Sequence, residues 1–273
     1  YSKGLTYMNI ENGIAKQTFL LQSIDVDPWY SARIDAYFSL MQEVAGMHAY
    51  QEKMGIPHLR EQKKTWVVTR TIMKIHEWAQ WPAQINLETW AQQPWKFYYP
   101  RGCYAYSEDN QTLLFESMTL WLIIDTETFH IIKPGTIDNE MFSQSNRNVD
   151  PQMKKRKNFN SQEYAKIEKR PITISYSDTD SNFHVNNVSY VKFLLASLDF
   201  PLLDAYQVSD IDITYLKQAF RDDNIYVNTG YPFKEISTQE SFTLHHEVVK
   251  EDENGEMVVL CAAETNWRKR GSF

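Results

Sequence analysis

Three residues that could act on an acyl group lie close together in the segment Asp180-Ser-Asn182-Phe-His184. They supply a carboxylate, a carboxamide and an imidazole directly before an apolar helix that we expect to begin near Val185. At a helix N-terminus the backbone N–H groups lack partners and the helix dipole favours negative charge. Acyl hydrolysis needs such donors, because the carbonyl oxygen becomes an oxyanion during the reaction. The segment therefore indicates a hydrolytic site for an acyl substrate.

The chain carries a second, altered copy of this segment near its beginning. The alignment places Asp25 on Asp178, Asp27 on Asp180, Tyr37 on Tyr190, Met41 on Leu194 and Ala45 on Leu198. Trp29 stands where the later copy has Asn182, and Ser31 stands where it has His184. The fold thus tolerates the loss of both polar residues, so their presence in the later copy calls for a functional explanation. Two halves of similar size, each a helix followed by strands, indicate an internal duplication.

The composition is typical of a globular protein and excludes several classes. The chain has 273 residues, a hydrophobic fraction of 42% and a net charge of −7 at pH 7. This length allows two domains with ordinary cores, and the negative charge disfavours nucleic acid as a partner. The sequence contains no apolar run of about 18 residues, so it predicts no membrane span. The start Tyr-Ser-Lys-Gly has no signal-peptide pattern and the two cysteines lack metal-site spacing, so we expect a cytoplasmic protein.

Hydrophobic periodicity predicts the elements that must position these residues. Each half should begin with one amphipathic helix, at about 32–50 in the first half and from about 185 in the second. Alternating runs then predict strands at 65–75, 84–91, 101–107 and 113–125, and at 211–216, 225–231, 241–250 and 257–267. Asn254-Gly255 is the strongest turn signal. The fold class is therefore α+β, with a long helix packed on an antiparallel β-sheet in each half.

In these residues the chain resembles the acyl-[acyl-carrier-protein] thioesterases of plants and bacteria. That family has the motif Asp-x-Asn-x-His-Val-Asn-Asn-x-x-Tyr in the second of two tandem hotdog domains. The motif is present here as Asp180, Asn182, His184, Val185, Asn186, Asn187 and Tyr190, and Trp66-Val-Val-Thr-Arg70, Glu88-Thr-Trp90 and Trp121 resemble further signatures. The resemblance implies a tandem hotdog fold. It also implies hydrolysis of fatty acyl-carrier-protein thioesters, which releases free fatty acid and ends chain elongation.

The chain departs from the family in one part of the site. In the family a glutamate lies on the next strand in a Tyr-x-x-Glu-Cys context, and the matching run here is Tyr215-Leu-Lys-Gln218-Ala219. Ala219 excludes a cysteine nucleophile at that position. Gln218 can position a water by hydrogen bonds but cannot take its proton. Water activation must therefore come from another residue of the motif.

The resemblance then implies a role for each polar residue of the motif. Either Asp180 or His184 is the base that activates water, and the choice between them stays open. Asn182 would orient the water or the thioester, with Gln218 assisting. The amides of the helix that begins at Val185 would polarise the carbonyl, which makes Val185 a substrate-binding residue.

We predict three segments: an N-terminal hotdog at 1–136, a basic linker at 137–170 and a C-terminal hotdog with the catalytic motif at 171–273. In the family the first hotdog forms much of the acyl pocket, which agrees with Trp29 in place of a polar residue. The linker contains the basic run Lys154, Lys155, Arg156 and Lys157. Because the carrier protein is acidic, this run is a candidate docking surface; a solvated linker is the alternative.

Two other functions remain open at this point. An acyl-CoA thioesterase would keep the chemistry and change the carrier. A non-catalytic acyl-binding protein is favoured by Gln218 and Ala219, but it would leave the intact Asp180, Asn182 and His184 unexplained. No GxSxG, GxGxxG, Walker or HExxH motif is present, so we expect no metal and no cofactor. We expect a monomer or a homodimer.

Overall fold

The computed structural model describes residues 8–136, 140–142, 147, 159–235 and 239–271. The chain divides into two units. The first comprises Tyr1–Thr69 and His76–Gln152, and the second comprises Arg70–Ile75 and Met153–Phe273. Within the described ranges, no helix has the length and apolar character needed to cross a membrane.

The first unit packs one long helix on an antiparallel sheet. Its elements are β1 (Asn9–Glu11), β2 (Ile14–Leu20), α1 (Ile34–Gln51), α2 (Ile56–Arg60), the first half of β3 (Lys64–Ile75), β4 (Gln84–Ala91), β5 (Tyr99–Ser107) and β6 (Leu113–Asp125). The strand order is β1-β2-β4-β5-β6-β3. Helix α1 buries Tyr37, Phe38 and Val44 against β2 and β4, because these residues recur at helical spacing on one face.

The second unit repeats this plan with a shorter helix. Its elements are the second half of β3, β7 (Lys166–Ile172), α3 (Asn187–Ala196), α4 (Phe200–Ala205), β8 (Tyr206–Tyr215), β9 (Ile225–Tyr231), β10 (Ser241–Glu251) and β11 (Met257–Lys269). The strand order is β3-β8-β11-β10-β9-β7. Helix α3 packs against β10, and it buries Val188, Tyr190, Val191 and Leu194. The predicted α+β class, with a helix on an antiparallel sheet in each half, is confirmed.

Three strands are missing from the sequence prediction. Strands β1 and β2 form a hairpin whose turn residues Asn12 and Gly13 have φ of 50° and 71°. An Asn-Gly pair of this kind is a strong hairpin signal, so the sequence did contain the information.

The third missing strand corrects the predicted linker. Residues 166–170 fall in the predicted linker at 137–170, but they begin β7, which pairs with β9. Its alternating charges form ion pairs, with Glu168 bonded to Lys166 and to Arg170 at 3.3 Å. Charged side chains are typical of a strand at the edge of a sheet, where they discourage pairing with another chain. The high charge of residues 166–170 is therefore a feature of an edge strand and not of a linker.

Candidate active site

The motif residues lie in a tight loop, residues 175–186, which we call the second loop. A 3-10 turn at Tyr176–Asp178 opens it, and the Asp180 amide then donates to the His184 carbonyl at 2.9 Å. The Phe183 amide donates to the Asp180 carbonyl at 3.0 Å. This closure places Phe183 at φ 63°, in the left-handed region, with its ring 82% exposed. Asp180 and His184 thus lie at the two ends of the turn that their backbone hydrogen bond closes.

The segment after β8 lies directly against this loop. The Val185 amide donates to the Ala219 carbonyl at 2.9 Å. Because His184 precedes Val185 and Gln218 precedes Ala219, the backbone segments that contain these two residues are adjacent. The ring of Phe220 meets the His184 ring edge-on at a centroid distance of 5.0 Å. Gln218 itself is exposed. The structure therefore places the backbone segment that contains Gln218 next to the motif loop, and the role of its side chain stays a prediction.

The start of the helix differs from the prediction. Helix α3 begins at Asn187, with Asn186 as its N-cap, and the Asn186 side chain accepts the Val188 amide at 2.8 Å. Since the Val185 amide is bonded to Ala219, it is not available to polarise a carbonyl, and the Val185 side chain is buried. The predicted substrate-binding role of the Val185 amide is therefore wrong. Within the described part of the chain, the Asn187 amide is the group at this helix start that has no acceptor.

The side chains of Asp180 and His184 have different surroundings. One Asp180 oxygen accepts the Asn182 amide at 2.7 Å, and the other has no hydrogen-bond partner among the described residues. The His184 ring likewise makes no hydrogen bond within the described ranges, and its aromatic contact is with Phe220. Both side chains and that of Asn182 are half-buried. The loop therefore offers one carboxylate oxygen and one imidazole for chemistry with a bound substrate.

An outer ring of contacts fixes the loop. The Asp178 side chain is buried and accepts the Ser175 amide at 2.8 Å, and its carbonyl accepts the Asn186 amide at 2.7 Å. The Tyr190 hydroxyl donates to the Lys217 carbonyl at 3.4 Å, which ties α3 to the segment that carries Gln218. The Phe220 ring contact and the Tyr190–Lys217 hydrogen bond are absent from the sequence prediction, because both join segments that are distant in sequence.

The other predicted residues lie apart from this loop in the sequence. Trp29 is half-buried in the first unit, and its amide donates to Asp27 at 3.0 Å. Its role in an acyl pocket stays a prediction. The basic run Lys154–Lys157 lies outside the described residues.

Comparisons with known proteins agree with this geometry. The profile described as the acyl-ACP thioesterase N-terminal domain matches residues 13–143, and the one described as the C-terminal domain matches residues 161–269. The chain is 23% identical over 228 residues to the chloroplastic palmitoyl-acyl carrier protein thioesterase of Gossypium hirsutum, covering 78% of this chain and 54% of that relative. The chain thus spans about half of that relative's length.

Solved structures show the same fold. An acyl-ACP thioesterase from Bacteroides thetaiotaomicron has a TM-score of 0.79 at 20% identity, covering 96% of this chain and 100% of that one. A 12:0-ACP thioesterase from Umbellularia californica gives the same four values. At this identity the similarity shows the fold, which is the predicted pair of tandem hotdogs.

Proposed function

The chain belongs to the acyl-ACP thioesterase family, and from this premise we propose that it hydrolyses the thioester of a fatty acyl-[acyl-carrier-protein] to free fatty acid and carrier thiol. The observation that carries the proposal is the second loop itself. Asp180, Asn182 and His184 are all present in one closed turn, and the Val185–Ala219 hydrogen bond joins this loop to the segment that contains Gln218. A protein that only binds acyl chains would not need these polar groups.

Hydrolysis begins with a water that must lose a proton as it attacks the thioester carbon. Asp180 and His184 are the two groups of the loop that can accept that proton. Asp180 has one oxygen committed to the Asn182 amide and one left for water. The His184 ring is held by Phe220 without a competing hydrogen bond among the described residues. A correctly placed base contributes roughly 10²–10⁴-fold to the rate.

The remaining groups bind rather than transfer protons. The Asn182 side chain can donate to the carbonyl oxygen or orient the water, and Gln218 can hold the water without taking its proton. The Asn187 amide lies at the positive end of α3 and is the backbone donor we assign to the oxyanion. The leaving group is a thiolate, whose conjugate thiol has a pKa of roughly 8.5, so it needs no strong acid.

The carrier protein is the proposed partner. The run Lys154–Lys157 carries four positive charges in a chain whose net charge is −7. Opposite charges on the two proteins would raise the rate of association and would be screened by salt. Reversal of these four charges should raise KM for acyl-carrier substrates and leave KM for acyl-CoA unchanged. An equal change for both carriers would exclude this docking surface.

The test of the proposed function is thiol release from a series of saturated acyl-carrier-protein substrates, with the same acyl groups on CoA in parallel. We expect faster turnover on the carrier protein, with a maximum at one chain length. Faster turnover on CoA would keep the chemistry of the loop and replace the proposed partner. Tight acyl binding without thiol release from either carrier would contradict the proposal, and would identify Gln218 as the mark of a non-catalytic binding protein.

A further inference from the structure

A buried cation in the first unit has no anionic partner in the part of the chain that the structure describes. Arg101 on β5 is 8% exposed, and no carboxylate among the described residues lies within ion-pair distance of it. Burial lowers the pKa of its guanidinium to about 10, which is consistent with the lack of a neighbouring negative charge. A buried charge without a counter-charge destabilises the folded state. Such a residue calls for an explanation beyond packing.

The hydrogen bonds of Arg101 leave much of its donor capacity unused. Its Nη1 contacts His48 Nδ1 at 3.0 Å and Thr89 Oγ1 at 3.2 Å, while its Nη2 meets the Met141 sulfur at 3.8 Å, which is a weak acceptor. His48 is buried, and its pKa is lowered to about 3, so the ring is neutral and can accept from Nη1. Two neutral acceptors would be served equally well by a neutral amide side chain. The positive charge is therefore not required to join α1 to the sheet.

Two further donors on the same sheet face as Arg101 have no hydrogen-bond partner among the described residues. The Tyr99 hydroxyl and the Trp121 indole N–H are both buried without a hydrogen bond. Tyr99 and Arg101 are two residues apart on β5 and so share a face of the sheet, and Trp121 is the direct partner of Tyr99 on β6. Trp66 contacts both rings, at centroid distances of 5.2 Å and 6.3 Å. Two unsatisfied donors and a guanidinium with unused N–H groups thus lie on one face of the sheet.

The surroundings of these donors are apolar. Tyr99 belongs to a buried hydrophobic cluster whose other members are Ala49, Met54, Leu59, Ala91, Ile123, Met141 and Phe142. A ligand that satisfied this region would combine a hydrocarbon chain with an oxygen acceptor. Because the principal donor is a guanidinium, a carboxylate would match it best, with two parallel N–H···O bonds and neutralisation of the buried charge.

We propose that Arg101, Tyr99 and Trp121 form a binding site for an oxygen atom carried on the hydrocarbon part of an acyl chain, so that the preferred substrate is an oxygenated acyl group. The substrate class rests on the proposed thioesterase function. A terminal carboxylate should be preferred over a keto group, and a keto group over a hydroxyl. A plain hydrocarbon chain would leave the donors unsatisfied and should bind least well.

The experiment compares carrier-protein substrates of one chain length that end in a methyl group or bear a hydroxyl, a keto group or a terminal carboxylate. In the unmodified protein, kcat/KM for the terminal carboxylate should exceed that for the plain chain by roughly tenfold or more, the range of a hydrogen bond to a charged group. Arg101→Met should bring this ratio to about one. Tyr99→Phe removes only a hydroxyl that has no partner, so it should lower the ratio without loss of thermal stability.

Tyr104→Phe is the matched control for the tyrosine variant, because Tyr104 lies on the same strand with its side chain on the opposite face. The ratio should not change in this variant. A ratio of one or less for every oxygenated chain, or an unchanged ratio in both Arg101→Met and Tyr99→Phe, would overturn the inference. A purely structural Arg101 predicts a lower melting temperature and an equal loss for all chains.

A binding measurement separates this inference from the proposed function. The intrinsic tryptophan fluorescence of the protein, to which Trp66 and Trp121 contribute, is titrated with a fatty acid methyl ester and with the monomethyl ester of the dicarboxylic acid of the same length. The half-ester should bind at least roughly tenfold more tightly, and Arg101→Met should abolish the difference. If no substrate releases thiol but the half-ester is still preferred, the proposed function fails and the site remains. If thiol is released and no preference is found in either assay, the site fails alone.

Discussion

The two units contain the same loop, and only one copy carries the candidate catalytic motif. In residues 22–33, the first loop, the Asp27 amide donates to Ser31 at 2.8 Å and the Tyr30 amide donates to Asp27 at 3.0 Å. The second loop repeats both bonds, at 2.9 Å and 3.0 Å. Tyr30 has φ of 60°, where Phe183 has 63°. The backbone of the loop is therefore independent of the residues that could perform chemistry.

The comparison divides the aspartate's structural role from its chemical one. Asp27 accepts the Trp29 and Ser31 amides, both at 3.0 Å, in a loop without asparagine or histidine. Asp180 accepts the Asn182 amide in the same way. One oxygen of each aspartate thus holds its loop. What is specific to the second loop is the pair Asn182 and His184.

The segments that follow β3 and β8 show the same relation. The Ala32 amide donates to the Ala79 carbonyl at 2.9 Å, as the Val185 amide does to Ala219, which makes Trp78 the counterpart of Gln218. Trp78 stacks on Tyr37 at 5.2 Å and belongs to the packing of its unit, whereas Gln218 is exposed. The first unit has therefore replaced every polar group of the proposed site except the aspartate that shapes the loop.

The most severe test converts His184 to the residue of the first loop. His184→Ser should lower kcat by roughly 10²–10⁴-fold, because the imidazole is one of the two candidate bases. The loop should stay folded, since Ser31 occupies the same position in the first unit. Ser31→Ala is the control and should retain near-full turnover. Thiol-release kinetics measure the turnover of both variants, and melting curves show whether their loops stay folded. Near-wild-type turnover of His184→Ser would exclude His184 from the mechanism.

Matched substitution of the two aspartates isolates the charge from the fold. Asn keeps a side-chain oxygen that can accept the same amides, so Asp180→Asn and Asp27→Asn should both preserve their loops. Only Asp180→Asn should reduce kcat, by roughly 10²-fold, if the free carboxylate oxygen takes part in water activation. Equal activity of the two variants would assign Asp180 a structural role alone and leave His184 as the base.

Much of this comparison could be predicted from the sequence. Both long helices and most strands followed from periodicity, because a buried helix face and alternating strands leave strong local patterns. The alignment of Asp27 with Asp180 also identified the shared loop. The edge strands β1 and β7 were not predicted, since strands that are short, half-exposed or charged lack that pattern.

The details of the candidate site were less predictable. Which amides are free depends on contacts between segments distant in sequence, such as the bond from Val185 to Ala219. The lone Arg101 charge was equally hidden, because a sequence does not reveal whether an arginine on a strand faces solvent or the core. Both features arise from tertiary packing, which local patterns do not encode.

The buried histidines extend the comparison from the loops to the interiors. Burial lowers the pKa of His246 to about 3, and its ring is bonded to Thr229 at 3.0 Å and Thr265 at 2.9 Å. The unfolded chain takes up a proton below a pH of about 6.5, while the folded chain stays neutral until a pH of about 3. Each such histidine should therefore remove about 1.4 kcal/mol of unfolding free energy per pH unit as the pH falls through this window.

Denaturant unfolding of variants at several pH values checks this expectation. His246→Gln should flatten the pH dependence between about 6 and 4 relative to the unmodified protein, and His48→Gln should do the same in the first unit. His130 is exposed, so His130→Gln is the control and should leave the slope unchanged. Parallel curves for all four proteins would show that neither buried ring stays neutral in the folded state.

Gln218 gives the smallest expected effect and the finest test of the comparison. If it holds the attacking water by one hydrogen bond, Gln218→Ala should lower kcat by roughly two- to tenfold, the value of a neutral hydrogen bond. Lys217→Ala is the control, since that residue contributes its carbonyl to Tyr190 rather than its side chain. Gln218→Trp reproduces Trp78 of the first unit and should cost more than alanine, because the ring would occupy the space of the water. If Gln218→Ala is as active as the control, Gln218 takes no part in the reaction and the proposed site consists of Asp180, Asn182 and His184. The presence of Trp78 at the equivalent position would then reflect packing in the first unit alone.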